Sequence, residues 1–216
     1  MIFSVVTIFP GIIENFVKFG LLAKAIEKDI VNVNVYDLRA FTTNKHYKVD
    51  DRPFGGGAGM VMMPQPLFDS VNSIKSKQNG KVILFSAYAD TLTQKKVKEL
   101  STEEHLILIC GRYEGVDQRF IDSLVDEEIS IGDYVLMGGE TPAQVVMESV
   151  SRMLDGVIGN FESVETDSFY FDDQFAYPQY TQPRDFNGLK VPEVLLSGHH
   201  KDISEWRFAN QKRRKS

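Results

Sequence analysis

Short apolar runs alternate with helix-like segments through the first 155 residues, and this alternation limits the fold more than any other feature of the chain. Residues 2–9, 82–85 and 106–110 are almost continuously apolar, as expected of strands buried on both faces of a sheet. Residues 31–35 alternate apolar and polar side chains, as in a half-buried strand. The order predicts an α/β fold in which helices cover both faces of a mostly parallel sheet.

Helices are predicted between these runs from the spacing of apolar residues. The first covers residues 11–28, with the stripe Ile12, Phe16, Phe19, Ala23 and Ile26. Others cover residues 65–77, 93–100 and 116–124. The clearest one follows Gly139: Thr141 is suited to cap it, Pro142 fits its first turn, and its stripe runs through residues 143–154.

Beyond Gly159 the regular pattern ends, which suggests three parts: a domain at 1–159, a linker or lid at 160–183 and a short C-terminal domain at 184–216. Residues 161–183 hold five acidic and no basic side chains, with many aromatics and no sustained period. In the last part we predict a strand or turn at 194–196 and a helix at 202–211 that contains Trp206. This domain is expected to be small and mainly helical.

Composition indicates one ordinary cytosolic globular chain. It has 216 residues, of which 43% are hydrophobic and 25% charged, and no apolar run approaches the roughly 20 residues of a membrane span. A single cysteine, Cys110, permits no internal disulfide, and at the end of a buried run we expect an inert core thiol. The net charge is −6, but residues 184–216 carry eight basic and four acidic side chains, so an acidic body has a basic end.

Three predicted strand ends are candidates for a ligand site, because ligands of open α/β sheets bind beyond the carboxyl ends of the strands. Residues 86–88, 111–115 and 131–139 follow such ends or lead into the capped helix. Glycines in the last two allow a ligand to approach the backbone. Tight turns alone would explain any one loop, whereas three neighbouring loops favour a pocket.

Other motifs are weaker. The glycine-rich residues 54–60 lack P-loop and dinucleotide spacing. They fit either a mobile anion-binding loop beside Asp50, Asp51 and Arg52, or else a structural hairpin or disordered loop. The histidines lack metal-ligand spacing, and no serine-hydrolase elbow is present. From pattern alone, Arg152 ends a helix and Asp167 caps a turn.

Several long motifs, in order along the chain, resemble one family, the bacterial TrmD-type tRNA (guanine-N(1)-)-methyltransferases. The principal stretches are DDRPFGGGAGM at 50–60, CGRYEGVD at 110–117 and SIGDYVL at 130–136. Shorter ones are GGE at 138–140, SVSR at 149–152, DSF at 167–169, PQYT at 178–181 and LLSG at 195–198. The similarity is collinear from residue 1 to about residue 208.

The resemblance implies a SPOUT fold, in which a deep trefoil knot builds the site for S-adenosylmethionine. It implies a homodimer with shared active sites, no membrane association, and tRNA as the partner. The implied reaction methylates ring nitrogen 1 of the guanine immediately 3′ of the anticodon when another guanine precedes it, supported by magnesium.

Carried over by motif, the implied catalytic residues are Asp167 as general base and Arg152 as the group that stabilises the guanine oxyanion. Glu114 and Asp167 are possible magnesium ligands, and Asp50 matches a position near the preceding guanine. Aromatic linker residues such as Phe169, Tyr170 and Phe171 are suited to cover an extruded base, or else to pack a closed lid. The implied cofactor-binding residues are Leu84, Phe85, Ser86, Ala87, Gly111, Tyr113, Glu114, Ile131, Gly132, Asp133, Tyr134, Val135, Leu136, Gly138, Gly139 and Pro142.

The chain departs from the family pattern in two ways. It ends soon after the Trp206 helix, where many relatives continue with basic helices, and the basic cluster at 212–215 is a possible substitute. Ala87 and Met137 stand where proline and serine are common in relatives. Two other functions stay open: an RNA-binding dimer without catalysis, against which the presence of Arg152 and Asp167 argues, and an α/β enzyme acting on a small molecule.

Overall fold

The computed structural model describes residues 1–159, 167–170 and 175–211, and the chain forms two compact units, Met1–Gly159 and Asn160–Ser216. The strands of the first unit are β1 (Ile2–Thr7), β2 (Asn32–Asp37), β3 (Asp50–Asp51), β4 (Val61–Met62), β5 (Lys81–Phe85), β6 (His105–Ile109) and β7 (Glu127–Ile129). Its helices are α1 (Pro10–Phe16), α2 (Gly20–Glu27), α3 (Pro64–Lys75), α4 (Gln94–Leu100), α5 (Gln118–Leu124) and α6 (Glu140–Ser151), with a 3-10 helix at Leu38–Phe41.

The main sheet has five strands in the order β2-β1-β6-β5-β7, and every neighbouring pair is parallel. All five carboxyl ends therefore meet at one edge. The predicted α/β fold with a parallel sheet flanked by helices is confirmed. No helix in the described part of the chain is long and apolar enough to cross a membrane.

The central strand β6 explains why its sequence is continuously apolar. Leu106 and Leu108 face one core together with α1, α2, α4 and α6. Ile107 and Ile109 face a second core together with α3, α5 and the 3-10 helix. Both faces are covered, so side chains of alternating direction are all buried. Cys110 is fully buried, which confirms the predicted core position, and burial raises the pKa of its thiol well above the ordinary value.

Three local predictions were wrong. The single helix expected at 11–28 is two helices, because the backbone leaves the right-handed helical region between them: Phe19 is extended and Gly20 has φ +72°. The expected stripe is also misplaced, since Phe19 is 74% exposed while Ile13 and Ala25 are buried. Thr141 lies inside α6 rather than capping it, and the residue at the N-cap position, Gly139, has no side chain for that role.

Strand β7 was missed because two of its three residues are glutamates. The Glu127 carboxylate forms ion pairs with Lys81 of β5 and Lys96 of α4, with a distance of 2.8 Å from each ammonium nitrogen to a carboxylate oxygen. These contacts make a carboxylate compatible with a short edge strand, and nothing in the local sequence reveals them.

In the second unit, β8 (Asp185–Phe186) and β9 (Leu189–Lys190) form an antiparallel hairpin around Asn187-Gly188. An Asn-Gly pair is a strong hairpin signal in the sequence, although this hairpin was not predicted. The predicted turn at 194–196 is a 3-10 helix, Glu193–Leu196, and the predicted Trp206 helix is α7 (His200–Ala209).

Candidate active site

A cleft of about 450 Å³ lies at the carboxyl edge of β5, β6 and β7. The loops after β5 and β6 and the segment between β7 and α6 form its walls. The structure brings all the predicted cofactor residues to this cleft except Asp133, which is exposed and does not line it. Tyr88, Arg112 and Met137, which lie in the three predicted ligand loops, also line it, whereas Glu128 and Ser130 line it without having been predicted. The volume lies in the range of pockets that bind cofactor-sized molecules.

Backbone contacts hold the cleft loops together. The Gly139 N–H donates to the Gly111 carbonyl at 2.9 Å, and Arg112 forms an isolated antiparallel bridge with Gly138. A Cβ on Gly139 would stand 2.6 Å from Cα of Cys110, too close for any larger residue. The glycine is needed for this close passage of one loop beside the other, which lies at the place where the resemblance implies the knot.

A buried ion pair crosses the same region. The Arg112 guanidinium contacts Oε2 of Glu140 through Nε at 2.9 Å and Nη2 at 2.7 Å, and Glu140 is only 2% exposed. The Thr7 hydroxyl donates to Oε1 of Glu140 at 2.6 Å. Arg112 Nη1 also donates to the Met137 carbonyl at 3.1 Å. Both charged residues lie in the quoted motifs, but only the tertiary structure reveals their pairing.

The glycine-rich run joins β3 to β4, so the structural hairpin interpretation is confirmed, and an anion-binding role stays a prediction. The loop is anchored to the 111–115 loop, because the Glu114 N–H donates to the Met60 carbonyl and the Met62 N–H donates to the Gly115 carbonyl, both at 2.9 Å. The Glu114 side chain packs on Gly59, where a Cβ would overlap it.

The same hairpin brings Asp50 to Tyr113. Burial, the negative charge of Asp50 and a side-chain hydrogen bond with it raise the pKa of Tyr113. The residue predicted to lie near RNA is therefore adjacent to one predicted to bind the cofactor.

Comparison with known proteins now identifies the family. The family model for tRNA (Guanine-1)-methyltransferases matches residues 1–216. The chain belongs to this tRNA (guanine-1)-methyltransferase family.

Individual relatives agree with this. A tRNA (guanine-N(1)-)-methyltransferase of Clostridioides difficile is 50% identical over 210 residues, which is 96% of this chain and 90% of that protein. One from Dictyoglomus turgidum is 52% identical over 204 residues, 94% and 82% of the two chains. The crystal structure of the tRNA (m1G37) methyltransferase from Aquifex aeolicus has a TM-score of 0.81 and 41% identity, covering 97% of this chain and 88% of that one. The fold is thus the SPOUT type that the motifs implied.

The two residues matched to the methyltransferase catalytic motifs lie in different units. Arg152 is exposed and ends α6, with its N–H donating to the Glu148 carbonyl. Asp167 is half-buried and starts a turn closed by the Tyr170 N–H at 3.4 Å. Both make side-chain interactions of their own. Their pairing across the two units stays a prediction.

Of the predicted lid aromatics, Phe169 packs edge-on against Phe175 with ring centroids 5.0 Å apart, and Phe171 lies outside the described residues. The basic cluster at 212–215 also lies outside them.

Within residues 1–159, 167–170 and 175–211, no group of three or more His, Cys, Asp or Glu side chains could hold a metal ion. His105 is a buried core residue whose ring nitrogens contact the Ser4 hydroxyl and the Asn79 carbonyl. Glu114 is exposed, and its partnership with Asp167 as a magnesium site stays a prediction.

Proposed function

We propose that this chain transfers a methyl group from S-adenosylmethionine to ring nitrogen 1 of the guanine immediately 3′ of the anticodon, in tRNAs where another guanine precedes it. One observation carries the proposal. Residues of three family motifs, at 110–117, 130–136 and 138–140, line a single cleft at the carboxyl edge of the sheet together with residues 84–87. The similarity to the tRNA (m1G37) methyltransferase of Aquifex aeolicus supports the position of the methylated guanine.

The cleft suits S-adenosylmethionine in size and chemistry. Main-chain groups of Gly111, Gly132 and Gly138 and the apolar side chains of Leu84 and Leu136 line it. Backbone amides and carbonyls can read an adenine edge or a ribose, and apolar side chains can pack on the adenine ring. The cofactor supplies an electrophilic methyl group attached to a positively charged sulfur.

Two side chains of the protein are assigned to the chemistry: one removes a proton from the guanine, and the other stabilises the negative charge that develops on it. The guanine nitrogen must lose its proton to become nucleophilic, and the Asp167 carboxylate accepts it. Negative charge then shifts to the guanine carbonyl oxygen, to which the Arg152 guanidinium donates. These roles require both side chains to reach the target base, which must first leave its stacked loop. We assign to Asp50, by its place in the family motif, the role of accepting a hydrogen bond from the preceding guanine. Magnesium is expected to support activity, but the described residues give it no complete site, and no step is assigned to it.

The division of labour follows the predicted parts. Residues 1–159 bind the cofactor, 160–183 link and cover the site, and 184–216 contact tRNA. In the last part, the excess of basic over acidic side chains supports a nucleic-acid contact. A cytosolic location follows from a tRNA substrate.

A homodimer is also proposed. Apolar side chains beside the cleft and along the α1–α2 segment face outward, notably Met137 (89% exposed), Val135 (87%) and Phe19 (74%). Exposed apolar surface of this kind is typical of subunit contacts.

A transfer assay with labelled S-adenosylmethionine and magnesium tests the function, using two tRNA transcripts that differ only at the base preceding the target guanine. We expect label in the transcript with two consecutive guanines and little in the other. Label in neither transcript, with the cofactor still bound, would favour the RNA-binding dimer without catalysis. Tight binding that does not weaken with salt would contradict a phosphate contact.

A further inference from the structure

The Arg112–Glu140 pair joins three separate segments at the carboxyl edge of the sheet. Glu140 begins α6, and Arg112 lies in the loop after β6. Thr7, the third partner, ends β1 and also accepts the Phe9 N–H at 2.9 Å. The guanidinium carbon further lies 4.7 Å from the centre of the Phe9 ring. One charged cluster therefore links the ends of β1 and β6 to the start of α6.

A gain in folding stability does not by itself explain why the chain has a buried ion pair at this place. Removing two charges from water is costly, and well-packed apolar residues often replace a buried ion pair without loss of stability. The geometry of this pair is more specific than its charge. The planar guanidinium uses Nε and Nη2 for Glu140 and directs Nη1 to the Met137 carbonyl, an arrangement that lysine cannot reproduce.

The Met137 contact connects the pair to the cleft wall. Residues 134–139 line the cleft, and their side chains at 135 and 137 point mostly into solvent, so their main chain receives little support from packing of those side chains. Gly138 leaves room for the guanidinium, since a Cβ there would overlap it. The pair fixes the backbone of this wall at the point where it enters α6.

We propose that Arg112 and Glu140 are positioning residues that hold the 131–139 loop in the shape that binds the cofactor. The inference rests on the proposed function in taking the ligand of this cleft to be S-adenosylmethionine. Neither residue needs to touch the reacting atoms. Their effect is on cofactor affinity more than on the rate of the bound complex.

The test separates positioning from folding. Arg112→Met alone leaves a buried, unpaired carboxylate and is expected to unfold more easily. The double variant Arg112→Met, Glu140→Gln removes both charges, so we expect its melting temperature to recover most of that loss. The double variant still lacks the hydrogen bond from residue 112 to the Met137 carbonyl. We therefore expect its Kd for S-adenosylmethionine, measured by calorimetry without tRNA, to rise about tenfold. The KM for the cofactor should rise in parallel, while kcat at saturation changes less than about threefold.

Arg112→Lys supplies a second route that keeps the charge and the fold. We expect a Kd between those of the wild type and the double variant, because lysine retains the attraction to Glu140 but loses the fork. Arg119→Met is the matched control, since Arg119 makes an exposed pair with Asp117 and does not line the cleft. Its Kd should equal that of the wild type.

Wild-type Kd in both Arg112→Lys and a stable double variant would overturn the proposal. Equal losses in the Arg119 control would overturn it too, by showing a general effect of charge. Because Kd is measured without tRNA, failure of the proposed function is a separate result: a wild-type chain that binds the cofactor but methylates no tRNA.

Discussion

At the residue scale, Gly138 shows how a missing side chain supports a charged contact. The Arg112 guanidinium occupies the space that a Cβ at residue 138 would fill. We predict that Gly138→Ala displaces the guanidinium, lowers the free energy of unfolding by about 1–3 kcal/mol and weakens S-adenosylmethionine binding. Chemical denaturation and calorimetry measure the two effects.

Gly11→Ala is the control for that substitution. Gly11 lies in α1 with nothing within 4 Å of an added Cβ, so alanine there should leave both stability and binding nearly unchanged or slightly raise stability. Equal behaviour of the two alanine variants would contradict the steric argument at Gly138.

Asp167 is the residue on which the proposed chemistry depends. We predict that Asp167→Ala abolishes methyl transfer and leaves cofactor binding nearly intact, because a general base acts on the guanine proton and not on the cofactor. Single-turnover transfer and cofactor calorimetry distinguish the two effects. Asp155→Ala, which removes an exposed carboxylate, should retain activity. Joint loss of binding and transfer in Asp167→Ala would instead assign Asp167 a structural role.

At the scale of elements, ion pairs of Glu127 with Lys81 of β5 and Lys96 of α4 add to the backbone pairing that holds β7 beside β5. Burial by itself would raise the pKa of Glu127, but hydrogen bonds from Lys81 and Lys96 outweigh it and lower the pKa below the ordinary value of 4.5. A lowered folded-state pKa means that the stabilisation is fully present above pH 4.5 and is lost as the pH falls through the folded-state pKa.

We therefore predict that Glu127→Gln lowers the free energy of unfolding by about 1 kcal/mol at pH 7 and that the difference from wild type shrinks below pH 4.5. Urea titrations at several pH values measure this. Glu205→Gln, in an exposed pair with Lys201 at 4.0 Å, should change the free energy by less than about 0.5 kcal/mol. A Glu127 variant whose deficit stays constant down to pH 3 would be inconsistent with the ion-pair explanation.

At the scale of the whole molecule, the exposed apolar side chains around the cleft lead to a prediction about assembly. We expect sedimentation at micromolar concentration to give twice the chain mass of 24.5 kDa, and Val135→Asp together with Met137→Asp to shift the protein toward monomer. Leu189→Asp, an exposed change in the second unit, is the control. A wild-type protein that is entirely monomeric under these conditions would exclude a shared active site.

The sequence by itself determined the sheet and its ligand edge. Strands such as β6 were predictable because burial on both faces demands an unbroken apolar run, and parallel strands bring their carboxyl ends to one edge. Long motifs, read as a resemblance, added the family and nearly all the residues around the cleft. These are local properties of the chain, so a pattern of neighbouring residues is enough to reveal them.

Only the tertiary structure decided how polar and irregular positions are satisfied. Strand β7 is stable because Lys81 and Lys96 reach Glu127 from other elements, and Arg112 finds Glu140 because two glycines let one loop pass close beside another. Partners of this kind are distant in sequence. The sequence around a charged residue does not show whether its side chain is solvated or paired with a buried counter-ion. The break at Gly20 was hidden for the related reason that glycine permits a left-handed turn without requiring it.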